Sequence, residues 1–247
     1  MNKLLSALLW LVYGISFVLS FLFAFFVRVF TFPFDPHHRY PNAVMMFFGK
    51  SIMVLNPFWK RHYYGLEKLS NSKGMIRIAN HQSFLDMPLM ATLPVEMKWV
   101  SKKELFKLPI VGWLMHLAGH ISVDRGSKGA ARSLQKMIAP IEDGTSVMIF
   151  PEGTRSRDGN MKPFKKGAFH ASVDNGFLVQ PIVMEGTFSC IKPDTWEMNL
   201  RGDLHVSVLD PVDPADFDSV DEMTAHVHKL VSDEFLRLKS LNSAGKR

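Results

Sequence analysis

Within the stretch RIANHQSFLDMPL, His81 and Asp86 have the types and spacing of an acid–base pair. An unperturbed imidazole, with a pKa near about 6.5, can accept a proton at neutral pH. A neighbouring carboxylate would fix its tautomer and stabilise the imidazolium that forms. On one regular helix a five-residue offset turns through about 500° and leaves the side chains about 140° apart, too far to pair. They can meet only if His81 lies in the turn before a helix and Asp86 in its first turn. The apolar run MIRIA, followed by Ser83 with an acid three residues on, supplies such a strand-to-helix passage. A capping box is the plainer use of Ser83 and Asp86, and the two uses are compatible.

Other chemistries lack their residues. The sequence holds no G-x-S-x-G elbow, no H-E-x-x-H and no phosphate-loop or dinucleotide glycine pattern. Its one cysteine, Cys190, has no base beside it in FSCIKP and reads as a buried thiol. His226 and His228 read as decoration of a C-terminal helix. A base at His81 is therefore expected to activate a hydroxyl of the substrate itself, with a covalent intermediate on Ser83 as the rival mechanism. Cations cluster nearby in sequence. FPEGTRS sets Gly153 and Arg155 after an apolar strand, where backbone N–H groups and a guanidinium suit an anion; a plain turn with Arg155 in a surface ion pair is the alternative. GHISVDR places Arg125 at another strand end, and WVSKKELFK adds Lys102 and Lys103. Residues 98–136 carry eight basic and two acidic side chains, and residues 155–166 carry five and one. Such asymmetry suits a face on anionic lipid or a funnel for phosphates.

The elements that must hold these groups follow from periodicity. Strands are expected at KRHYYG, MIRIA, KWVS, HISVD, SVMIF, LVQPIVM and DLHVSVL. Helices are expected over 84–92, 102–117 with a break at Pro109, 128–142, 166–175 and 221–240, the last with an apolar stripe at 223, 227, 230, 231, 235 and 238. Strands alternating with helices give an α/β domain with a largely parallel or mixed central sheet flanked by helices. In such sheets functional residues gather where strands end and helices begin. Asn80-His81, Asp124-Arg125 and PEGTRS all fall at such ends.

Before this domain the chain is apolar. Residues 4–27 carry no charge, and as a helix would run roughly 36 Å, enough for a hydrocarbon core of about 30 Å. A cleaved signal peptide would need a shorter apolar core and small residues at its end. VMMFFGKSIMVL follows after the proline-broken TFPFDPHHRYPN, so residues 1–58 are expected to form a two-helix membrane anchor and 59–247 the α/β domain. Lys3 lies on one side of the first helix, with Arg28 and Arg39 on the other, which puts the bulk of the chain on the cytoplasmic side. The formal charge of +6 suits nucleic acid, anionic lipid or phosphorylated substrates. The apolar N-terminus selects lipid, and no nucleic-acid partner is expected. A hydrophobic content of 47% argues against disorder outside the tail LNSAGKR.

Taken together, NHQSFLD, GHISVDR, FPEGTRS and VQPIVM resemble, in order, the four sequence blocks of the glycerolipid acyltransferases, most closely those acting on 1-acyl-sn-glycerol-3-phosphate in bacteria. The resemblance covers residues 64–183. It implies His81 as general base with Asp86 as its partner. It also implies Arg125, Glu152, Gly153, Thr154 and Arg155 at the acceptor's phosphate, and Pro181 as a structural element on the acyl-donor side; Lys102 is added from its place before the second block. The implied reaction moves an acyl group from acyl-CoA or acyl carrier protein to lysophosphatidic acid, giving phosphatidic acid. Glycerol-3-phosphate or another lysophospholipid is the alternative acceptor. No metal or other cofactor is implied. The implied location is the bacterial inner membrane, with the catalytic domain on its cytoplasmic face.

Overall fold

The computed structural model describes residues 2–69, 74–124 and 133–244. Arg125 and the start of the helix expected over 128–142 lie outside them. Seven strands form one sheet: β1 (Trp59–Tyr64), β2 (Ile76–Ala79), β3 (Met97–Lys102), β4 (Ile121–Val123), β5 (Ser146–Ile149), β6 (Val179–Glu185) and β7 (Gly202–Val208). Their spatial order is β1-β7-β6-β2-β5-β3-β4. The run from β6 to β4 is parallel; β7 lies antiparallel to β6, and β1 parallel to β7. The sheet is therefore mixed. β2 sits between β6 and β5, so the loops leaving the C-terminal ends of these three strands share one edge. β2 is buried throughout Ile76–Ala79 although it carries Arg77, whose Nη1 donates to Oε1 of Gln180 on β6 at 2.8 Å.

One polar side chain inside this core fixes the strand register. Asn80 is buried, its Nδ2 donates to the Met184 carbonyl at 2.8 Å, and its Oδ1 accepts from the Met184 N–H at 2.8 Å. Residue 81, two positions beyond β2, is thereby locked beside the end of β6.

Helices cover both faces. α3 (Asp86–Met90), α4 (Val111–Leu117), α5 (Ile138–Glu142), α6 (Gly167–Asn175), α7 (Thr187–Cys190) and α8 (Val220–Ala244) follow the strands in sequence. The helix expected over 102–117 is split, with a 3₁₀ turn at Leu105–Lys107 and α4 beginning after Ile110, whose φ of 64° breaks the path beside Pro109. α7 has no periodic signal, because a four-residue helix presents only one turn.

The N-terminus is one long apolar helix, α1 (Asn2–Thr31), followed by α2 (Arg39–Leu55). Among the described residues α1 is the one helix long and apolar enough to cross a membrane. α2 begins where the Asp35 carboxylate accepts from the N–H groups of Arg39 and Tyr40 at 2.9 and 3.1 Å. Neither helix stands apart from the sheet. Tyr13, Ile52 and Met53 are buried in the same apolar cluster as Trp59, Leu89, Met90 and Met148. Lys98, buried at the start of β3, donates to the carbonyls of His38 at 3.0 Å and Ala118 at 2.7 Å, tying the α1–α2 turn to the end of α4. A Cβ on Gly49 of α2 would come within 3.0 Å of the Ala91 Cβ just beyond α3, so the two helices approach closely where that side chain is missing.

The Asn80 lock sets a stability test. Asn80→Leu keeps the branched outline, with some added bulk, but strips both partners from the Met184 peptide, which should cost about 2–4 kcal/mol and lower the melting temperature of the detergent-solubilised protein by several degrees.

Candidate active site

His81 follows β2 directly, and its Nδ1 lies 2.7 Å from Oδ2 of Asp86, the first residue of α3. The imidazole lies against the Phe150 ring, 4.0 Å between centroids and 13° between planes. Asp86 is fully buried. Burying a carboxylate is costly unless its oxygens are hydrogen-bonded, and here the donors are present. Oδ2 also accepts from the N–H groups of Gln82 at 2.6 Å and Ser83 at 2.8 Å, while Oδ1 accepts from the Thr187 hydroxyl at 2.6 Å.

Half of the capping box forms. The Asp86 carboxylate does return to the Ser83 N–H, but Ser83 Oγ donates to the Ile191 carbonyl at 2.7 Å and accepts from the Leu85 N–H at 3.3 Å. Buried and committed in this way, Ser83 is poorly placed as a nucleophile. The acid thus serves its turn and its histidine together.

Glu152 leaves the loop after β5 and points inward. Its Oε1 accepts from the His81 N–H at 2.7 Å and its Oε2 from the Lys162 N–H at 3.0 Å. Burial raises its carboxyl above the usual range, and these two N–H bonds oppose that rise. With both oxygens taken, Glu152 braces the backbone of His81, a task distinct from contact with an anion, which its charge would repel. The His81 carbonyl in turn accepts from the Ser156 N–H at 2.8 Å. Gly153 has φ 77°, and a Cβ there would sit 2.9 Å from Cε of Lys165. The loop therefore needs glycine at that point.

The remaining expected residues divide. Arg155 is exposed and shares with His81 the lining of an apolar cavity of about 340 Å³. Its carbonyl and the Thr154 hydroxyl both accept from Lys162 Nζ, at 2.9 and 3.1 Å. Lys102 is exposed at the end of β3, 3.7 Å from Glu104, and is not part of that lining. The cavity runs between α1, α2, α3, β3 and α4, with Phe17, Met46, Ile52, Met87 and Leu114 among its walls. Two residues that matter here carry no local motif signal: Lys162 and Thr187. Only the pairing of β2 with β5 and β6 brings them to His81.

The matched family model is described as Acyltransferase and spans residues 60–185. This chain belongs to that family. A 1-acyl-sn-glycerol-3-phosphate acyltransferase of Haemophilus influenzae is 33% identical over 169 residues, covering 66% of this chain and 69% of that one. The chloroplastic BAT2 enzyme of the same name from Brassica napus is 32% identical over 204 residues, covering 82% of this chain but 59% of its own length. The chain thus spans little more than half of that plastid relative. The crystal structure of the 1-acyl-sn-glycerophosphate acyltransferase PlsC from Thermotoga maritima superposes with a TM-score of 0.82 at 28% identity, covering 97% of this chain and 98% of that one. The fold is accordingly shared from the N-terminal helices to the end of α8.

In this acyltransferase-family chain the brace under His81 is open to test. Glu152→Gln must set an amide NH₂ against one of two backbone N–H groups. Turnover should fall by about 10–100-fold, the scale of a small misplacement of reacting groups, with the acceptor KM little changed in steady-state assays.

Proposed function

We propose that the chain transfers an acyl group from an acyl thioester to the sn-2 hydroxyl of 1-acyl-glycerol-3-phosphate, giving phosphatidic acid. The observation that carries this reading is the His81–Asp86 pair standing at an apolar cavity that Arg155 also lines. With Nδ1 facing the carboxylate, Nε2 is the basic nitrogen. It takes the hydroxyl proton as the oxygen attacks the thioester carbonyl; when the tetrahedral intermediate collapses and the C–S bond breaks, the imidazolium returns that proton to the thiolate. Such general-base catalysis contributes about 10²–10⁴-fold. The thioester is already activated, so the step balances without a metal or redox cofactor.

Arg155, with Arg125, Lys102 and the Gly153–Thr154 backbone, is assigned to the acceptor's phosphate. The cavity is assigned to an acyl chain, its apolar walls excluding water from the reacting carbonyl. The outward face of α1, with Leu4, Leu8, Leu11, Leu22 and Phe26 exposed, is assigned to lipid, together with Tyr40 and Phe47 of α2. Residues 1–58 then serve as the membrane-anchoring part, and the α/β domain lies on the cytoplasmic face of a bacterial inner membrane. Acyl-CoA and acyl carrier protein are the candidate donors, and both bring a phosphopantetheine arm.

The deciding experiment is a matrix assay of the detergent-purified protein. Lysophosphatidic acid, glycerol-3-phosphate and a neutral-headgroup lysophospholipid are each paired with acyl-CoA and acyl carrier protein. Preference for lysophosphatidic acid is expected; preference for glycerol-3-phosphate selects the alternative acceptor. His81→Ala should remove transfer while the protein still partitions with membranes. Arg155→Ala should raise the KM for the phosphorylated acceptor about tenfold, the value of one charge-assisted contact, and an unchanged KM with lower turnover would remove it from that role.

A further inference from the structure

We propose that Thr187 is a positioning residue for the His81–Asp86 pair, holding the carboxylate in the one orientation from which it can serve the imidazole. Its effect on turnover rests on the reading above; its effect on the geometry of the pair does not. A carboxylate that receives all its bonds on one oxygen can still swing about its Cβ–Cγ bond. In Asp86 three donors converge on Oδ2: the imidazole and the N–H groups of Gln82 and Ser83. Among the described residues Oδ1 has one partner, the Thr187 hydroxyl at 2.6 Å. Both side chains are fully buried, so no bulk solvent stands ready to replace that bond. A hydrogen bond to a buried charge is among the stronger kinds.

The placement of Thr187 is itself determined. Thr187 opens α7, two residues after β6, on a turn through Gly186, whose φ is 98°. A Cβ on Gly186 would lie 2.1 Å from the Asp203 carbonyl oxygen of β7, so this close passage admits only glycine. Asn80 clamps Met184 of β6 to the end of β2. His81 follows Asn80 by one residue and Thr187 follows Met184 by three. The acid on α3 is consequently referred to β6 through Thr187, while the backbone of the base is referred to β5 through Glu152. The pair is held from two neighbouring strands, and Thr187 supplies the β6 side.

The test compares Thr187→Val, which keeps the branched shape and deletes the hydroxyl, with Thr187→Ser, which keeps the hydroxyl. In the detergent-purified full chain, with melting curves to confirm folding, Thr187→Val should lower kcat by about 10–100-fold, the range expected for a bond to a charged group. The acceptor KM should stay within about twofold, and Thr187→Ser should recover most of the turnover. A Val variant as active as wild type overturns the proposal, and so does equal damage by Val and Ser, which would show that the hydroxyl by itself does not carry the effect. A second measurement does not depend on any substrate. The downfield imidazole proton of the His81–Asp86 bond, identified in histidine-labelled protein by its loss in His81→Ala, should shift or broaden in Thr187→Val and persist in Thr187→Ser. If it is unchanged in the Val variant, Thr187 does not position the pair. A wild-type chain that shows this proton response but acylates no lysophosphatidic acid leaves the positioning role standing and removes the proposed substrate.

Discussion

The site depends on a negative charge kept out of water. Among the described residues Asp86 has no lysine or arginine in ion-pair contact, and four hydrogen-bond donors take the place of solvent. Burying a charge is costly unless its oxygens are satisfied, so the local chain is shaped around this one carboxylate. It folds the Gln82–Ser83 turn, starts α3 and orients the imidazole. That a single acid closes the turn explains why the pair needs only four intervening residues and no regular helix between them.

The strand order extends this local arrangement through the sheet. β2 lies between β5 and β6, so everything that steadies His81 arrives from an adjacent strand end. Phe150 offers a flat face to the ring, Glu152 holds the main chain below it, and Thr187 meets the far oxygen of the acid. The crossovers that make this possible bring residues 71 and 101 positions apart into hydrogen-bond contact. Local spacing can specify a turn, whereas a site assembled in this way is specified by topology.

This difference decides what was legible in the sequence. All seven strands were visible, because short apolar runs bounded by polar ends are their signature. His81 and Asp86 were visible because their meeting is a local event. Arg155 was visible from its place after an apolar strand. Lys162 and Thr187 were not, since their partners belong to distant segments. The capping reading of Ser83 was half right; the hydroxyl was drawn to the Ile191 carbonyl, a long-range partner that periodicity cannot reveal. Charge counts grouped Lys102 with Arg155; both are exposed, the lysine at the end of β3 lying 3.7 Å from Glu104. The apolar character of the N-terminus was legible from composition, but its contribution of Tyr13, Ile52 and Met53 to the common core depends on packing alone.

The shortness of α3 has a consequence for how the acceptor is counted. Five residues of helix rise only about 7.5 Å. They separate Asp86 from Ala91, which rests on the glycine of a helix whose neighbour shows a bare apolar flank. On the function proposed above, a reaction centre this near an amphiphile's own phase draws on molecules that diffuse sideways in two dimensions. The quantity that sets its occupancy is then mole fraction in the surface, and inert lipid dilutes the acceptor even when the amount per millilitre is held constant.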